Sequence, residues 1–84
     1  MLTVYTTDWC GYCVRLKRQL EREGIAFTEV NVERDADAAR LVMTINGGDR
    51  TVPTVVLPNG RALTNPSLTQ VKAGLSEVTS SPTA

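Results

Sequence analysis

The chain has 84 residues, 42% hydrophobic and 21% charged, with nine basic side chains balanced by nine acidic ones and no histidine. That length bounds one small domain with one modest core, expected over residues 1–78 and followed by a flexible tail at 79–84. Zero net charge offers no field for a phosphate backbone, no apolar run nears the ~20 residues of a membrane span, and "MLTVYTTDWC" lacks the regions of a leader, so neither nucleic acid nor membrane is expected and the expected compartment is the cytoplasm.

"LTVYT" (2–6) is rich in β-branched and aromatic residues and runs into polar "TD", which predicts a strand. From Cys13 the pattern becomes helical, with Val14, Leu16 and Leu20 apolar, charged residues between them, and Gly24 as a C-terminal stop. "AFTEVNV" (26–32) alternates apolar and polar residues as a second strand. Asp35 then caps a helix whose apolar positions are Ala38, Leu41, Val42 and Ile45, closed by "NGG" (46–48). "TVPTVVL" (51–57) is a β-rich run followed by the hairpin signal "PNG" and "RAL". Asn65 and Pro66 read as N-cap and first-turn residue of a last helix, about 67–77. The order β-α-β-α-β-β-α predicts an α/β protein with a four-stranded mixed sheet flanked by three helices, its first βαβ unit parallel and right-handed. A CxxC between the first strand and first helix completes the pattern of a thioredoxin-like fold.

Cys10 and Cys13 are the only cysteines. A structural disulfide is a poor reading, because a reducing compartment opposes it and so small a loop gains little entropy from closure. A self-contained zinc site needs four ligands, and no second CxxC or histidine pair supplies them; two inert buried thiols are the other bland alternative. The redox reading is strongest. Cys10 falls at the mouth of the first helix, where unpaired N–H groups and the positive end of the macrodipole favour a thiolate. Activation by a Cys–His pair is excluded by composition, leaving the helix terminus with Arg15 and Lys17 as weak helpers.

Taken together, "YTTDWCGYC", "TVP" at 51–53 and "LTNPS" resemble the glutaredoxins over nearly the whole chain. "WCGYC", "NGGDRTVPTV" and "LTNPS" more narrowly resemble the mycoredoxins, the actinobacterial branch that works with mycothiol. The resemblance implies Cys10 as nucleophile, Cys13 as an optional second cysteine, and Val52 followed by a cis Pro53 facing the site. Gly11-Tyr12 stands where Pro-Tyr is usual, and Thr64-Asn65-Pro66-Ser67 stands where glutathione-using members carry Gly-Gly, a small polar residue and Asp. Losing that grip fits a thiol carrying a sugar and an inositol. Trp9, Gly11, Tyr12, Val52, Pro53, Thr64 and Asn65 are therefore the candidate thiol-binding residues, although on residue type alone Trp9 and Tyr12 read as packed side chains. Arg50 is a candidate for a substrate carboxylate or hydroxyl, and Arg15, Arg18 and Arg22 read as a solvated helix face.

The implied activity is reduction of protein–mycothiol mixed disulfides, with mycothiol as co-substrate, no tightly bound cofactor and no metal. The implied partners are mycothiolated proteins and, indirectly, mycothiol disulfide reductase, acting on a monomer. Two other functions fit the same motif. One is a hydrogen donor to ribonucleotide reductase fed by thioredoxin reductase, whose members carry a "WSGF"-like segment in place of "LTNPS". The other is an iron–sulfur carrier bridged by Cys10 in a dimer, which Gly11 keeps open.

Overall fold

The computed structural model describes residues 2–80, and its first strand, β1 (Leu2–Thr6), is the strand around which the rest is arranged. The chain continues through α1 (Gly11–Arg22), β2 (Phe27–Asn31), α2 (Ala36–Ile45), β3 (Thr54–Val56), β4 (Ala62–Thr64) and α3 (Leu68–Ser80). The sheet order is β2-β1-β3-β4: β1 runs parallel to β2, with Leu2 opposite Phe27, and antiparallel to β3, with Tyr5 opposite Thr54. β3 and β4 close the sheet as a hairpin. The expected element order and mixed sheet are both present.

Alternation along β1 sorts the core into two layers. Leu2 and Val4 join Leu16 and Leu20 of α1, Val55 and Leu57, and Val71 of α3 on one face. Tyr5 points the other way, against Val32 and the Ala38, Ala39 and Val42 face of α2. Burying a leucine such as Leu20 contributes roughly 1.5–3 kcal/mol, so the larger cluster dominates stability. Two positions expected inside are outside: Val14 and Leu41 are exposed, and Cys13 and Ala39 take the inward positions instead. Each helix turns its small or sulfur-bearing side chain toward the sheet, which allows close approach where the domain is thin.

Helix ends follow local chemistry. After α1 the Gly24 N–H bonds Glu21 O, the Ile25 N–H bonds Leu20 O, and Gly24 takes the left-handed φ of 69° that this crossed pair requires. Asp35 caps α2 as expected, accepting the Ala38 N–H at 3.1 Å. The start of α3 differs from expectation. Ser67, not Asn65, is the cap: its Oγ accepts the Gln70 N–H at 3.1 Å while the Gln70 side chain accepts the Ser67 N–H at 2.8 Å. Asn65 instead adopts φ 45° in the turn, so Pro66 precedes the helix. The helix continues to Ser80, past the expected end, and residues 81–84 of the expected tail lie outside the described residues.

The run 51–57 yields only the three residues of β3. Val52-Pro53 is a cis peptide, as the family resemblance implied, and a proline without an N–H cannot join the ladder. Among the described residues, no helix is long and apolar enough to cross a membrane.

Candidate active site

α1 has no Ser, Thr, Asn or Asp at its cap. Cys10 fills that position with extended backbone (φ −85°, ψ 108°), and its Sγ accepts the Cys13 N–H at 3.1 Å. The helix therefore opens at Gly11, with Cys10 at its mouth as expected and Cys13 within its first turn. Sulfur in the cap position meets an N–H donor and the positive end of the helix dipole together.

Both cysteines are free thiols. Cys10 is 5% exposed and Cys13 is fully buried one turn behind it. Burial, above all, pushes the Cys13 thiol up to about 12; its hydrogen bond to Cys10 and the charge on Cys10 push the same way, against weaker opposition from a Thr7 backbone bond and Lys17. One thiol is thus nearly buried at the helix mouth under an N–H donor, and the other is held protonated beneath it.

The second wall is the cis-proline loop. The Cys10 thiol donates to the Val52 carbonyl at 3.6 Å, and the buried Pro53 offers its own carbonyl to the Asn65 N–H at 2.8 Å. That loop is braced from below. Thr54 Oγ1 donates to Thr51 O at 2.7 Å, and Asn46 at the end of α2 donates to Thr54 Oγ1 at 3.1 Å.

The structure brings together Cys10, Cys13, Val52, Pro53 and Asn65, and it separates some other expected site residues from them. Thr64 turns its hydroxyl to Asn46 Oδ1, below the cis-proline loop. Gly11 opens α1 in free space, where an added Cβ would meet nothing. Trp9 and Tyr12 are 74% and 69% exposed, which overturns the packed reading of both. Trp9 is held at its edge: its Nε1 donates to Glu33 at 3.2 Å, and the Asp8 N–H reaches the same carboxylate at 3.3 Å. Asn31 at the end of β2 and Arg34 in the loop after it both donate to the Asp8 carboxylate, tying that end of β2 to the loop before α1. Arg50 reaches Met43 Sδ at 3.5 Å on the surface of α2.

Tyr12 lines an open groove of about 340 Å³ with Arg15, Gln19, Asn65, Ser67 and Gln70. The sequence signalled Asn65 and Ser67 within "LTNPS" but not Gln19 or Gln70. The Ser-x-x-Gln spacing of 67–70 was the available signal for Gln70.

A CxxC at a helix mouth facing a cis-proline, on a mixed sheet of this order, defines a thiol oxidoreductase with a thioredoxin-like fold. The glutaredoxin family model matches residues 2–63. A Mycobacterium tuberculosis protein bearing the glutaredoxin name is 53% identical over 77 residues, covering 92% of each chain. Mycoredoxin 1 of Corynebacterium glutamicum is 39% identical over 72 residues, covering 86% of this chain and 89% of the relative. Among solved structures, a thioredoxin-like protein superposes with a TM-score of 0.71 at 29% identity, covering 87% of this chain and 97% of the other. The NrdH-redoxin from Escherichia coli superposes with a TM-score of 0.65 at 30% identity, covering 75% and 79%. The chain belongs to the glutaredoxin family, on its mycoredoxin branch.

Proposed function

We propose that this glutaredoxin-type oxidoreductase reduces mixed disulfides between proteins and mycothiol through Cys10. The observation that carries the reading is the contrast between the two thiols: Cys10 in the cap position under the Cys13 N–H and facing Val52 O, Cys13 fully buried and held protonated. In the first step Cys10 thiolate attacks the mycothiol sulfur. The mixed disulfide breaks, its electron pair leaves on the protein's sulfur, and that thiolate takes up a proton. In the second step the thiolate of another mycothiol attacks the mycothiol sulfur bound to Cys10, giving mycothiol disulfide and restoring Cys10 as thiolate. Cys13 is an optional second attacker, which would leave a Cys10–Cys13 disulfide for an outside reductant.

Mycothiol as the preferred thiol is supported by the 39% identity to Mycoredoxin 1 and by the groove between Tyr12 and Asn65. Its amide, hydroxyl and guanidinium groups, from Gln19, Gln70, Ser67 and Arg15, suit the hydroxyls of a sugar–inositol conjugate. Of the candidate thiol-binding residues, Tyr12 and Asn65 line this groove, and Val52 faces Cys10 through its carbonyl. The protein acts as a cytoplasmic monomer with no resident cofactor. The test is turnover of one mixed disulfide with mycothiol and its disulfide reductase, against the same disulfide formed with glutathione and assayed with glutathione and its reductase. Mycothiol should give the higher kcat/KM, and equal values would remove the assignment.

A further inference from the structure

The chain is neutral overall, yet its charges are unevenly matched. Among the described residues, five cations sit in ion pairs: Lys17 with Glu29, Arg34 with Asp8, Arg40 with Asp37, Arg61 with Glu77, and Lys72 with Glu23. Of the cations without a carboxylate partner, three fall on one helix: Arg15, Arg18 and Arg22 of α1. They line a shallow open groove of about 380 Å³ with Gly11, Val14 and Gln19. All three arginines are exposed, on the side of α1 away from Leu16 and Leu20.

Folding does not account for this arrangement. Arg15 and Arg18 stand three apart and Arg18 and Arg22 four apart, spacings at which like charges on a helix repel. Glu21 and Glu23 lie on the same helix, but Glu23 is held by Lys72, with Arg22 adding only a weaker pull on it. The groove also runs along α1 from Gly11, the residue after Cys10.

We propose that the Arg15–Arg18–Arg22 stripe docks an acidic segment of the protein whose disulfide Cys10 attacks. Carboxylates seated on three unpaired guanidiniums complete the charge balance that the fold leaves open, and Arg offers each a two-pronged contact. The exposed Val14 gives an apolar seat beside the cysteine end. The inference rests on the disulfide-exchange reading above, and the test separates the two.

Two peptides carrying the same mycothiol mixed disulfide are compared, one flanked by aspartates and one by asparagines. In the unaltered protein the acidic peptide should have about tenfold higher kcat/KM at low ionic strength, by electrostatic steering, and added salt should erase the advantage. Arg18→Gln/Arg22→Gln should lose the preference while turning over the asparagine peptide as before. Both changes lie on an exposed helix face and keep good helix formers, so folding is retained. A preference that is absent from the unaltered protein, or that survives in the variant, overturns the proposal. A fluorescent aspartate peptide without a disulfide, followed by anisotropy, supplies the independent arm. If neither disulfide peptide is turned over but this probe binds and Arg18→Gln/Arg22→Gln weakens it, docking stands and the exchange reading falls; if the probe does not bind at all, the docking proposal falls.

Discussion

The buried thiol makes a prediction that needs no substrate. Cys13 keeps its proton to about 12 in the folded protein, against an ordinary 9.0 for an unfolded thiol. Between those two values unfolding releases a proton, so rising pH favours the unfolded chain. The stabilising contribution is fully present below pH 9.0 and is lost as pH climbs toward about 12. At 1.36 kcal/mol for each pH unit the whole effect is about 4 kcal/mol, and about 2 kcal/mol of it should vanish by pH 10.5. Other groups titrate in that range, so the measurement is a difference between the unaltered protein and Cys13→Ala. Urea unfolding of both, with reductant present, at pH 8 and pH 10.5 isolates the one thiol. At pH 8 Cys13→Ala should be the less stable, because removing a fully buried sulfur leaves a small void. At pH 10.5 the gap should have moved by about 2 kcal/mol in favour of Cys13→Ala. If the two proteins lose stability in parallel from pH 8 to 10.5, Cys13 ionises freely in the fold and its role as a protonated reserve is wrong.

The catalytic reading predicts that Cys10→Ser abolishes release of mycothiol from a mixed-disulfide protein, whereas Cys13→Ser keeps most of it and accumulates a Cys10–mycothiol adduct by intact mass; equal loss in both variants would make Cys13 obligatory. Ser67→Ala removes an acceptor from the capping pair with Gln70 and should lower stability by about 1 kcal/mol in denaturant unfolding, while Asn65→Ala should leave the α3 cap intact. Gly74→Ala would place a Cβ 2.6 Å from Leu57 Cδ1 in the core, so the usual helix gain of about 1 kcal/mol should fail to appear as a higher Tm.

The parts legible in the sequence were those fixed by near neighbours. Gly24 and Asp35 end and begin their helices through bonds within a few residues, and the β-α-β-α-β-β-α order follows from local periodicity. The CxxC announced the site for the same reason. What escaped depends on the third dimension. Val14 and Leu41 look like core residues by type, but the sheet takes Cys13 and Ala39 from the same helices instead. Asn65 has the composition of a cap, yet its backbone N–H is committed to Pro53 O, twelve residues earlier in the chain, which leaves Ser67 to cap α3. Nothing near Trp9 in sequence announces Glu33, which reaches it across the β1–β2 edge.

The 3.6 Å contact from the Cys10 thiol to the Val52 carbonyl also makes the oxidation state of one sulfur readable by the opposite wall. Once Cys10 is bonded to another sulfur it has no proton to give, and Val52 O is left with an unfilled lone pair beside the new disulfide. An amide N–H on the incoming thiol can fill it, so the acceptor is open to the ligand whenever Cys10 carries no proton, as thiolate or as disulfide. Departure of the ligand as mycothiol disulfide leaves Cys10 as thiolate, and the acceptor closes again only when that thiolate takes up a proton from solvent. A single backbone oxygen thereby serves the Cys10 proton in the reduced protein and the bound ligand in the mixed disulfide.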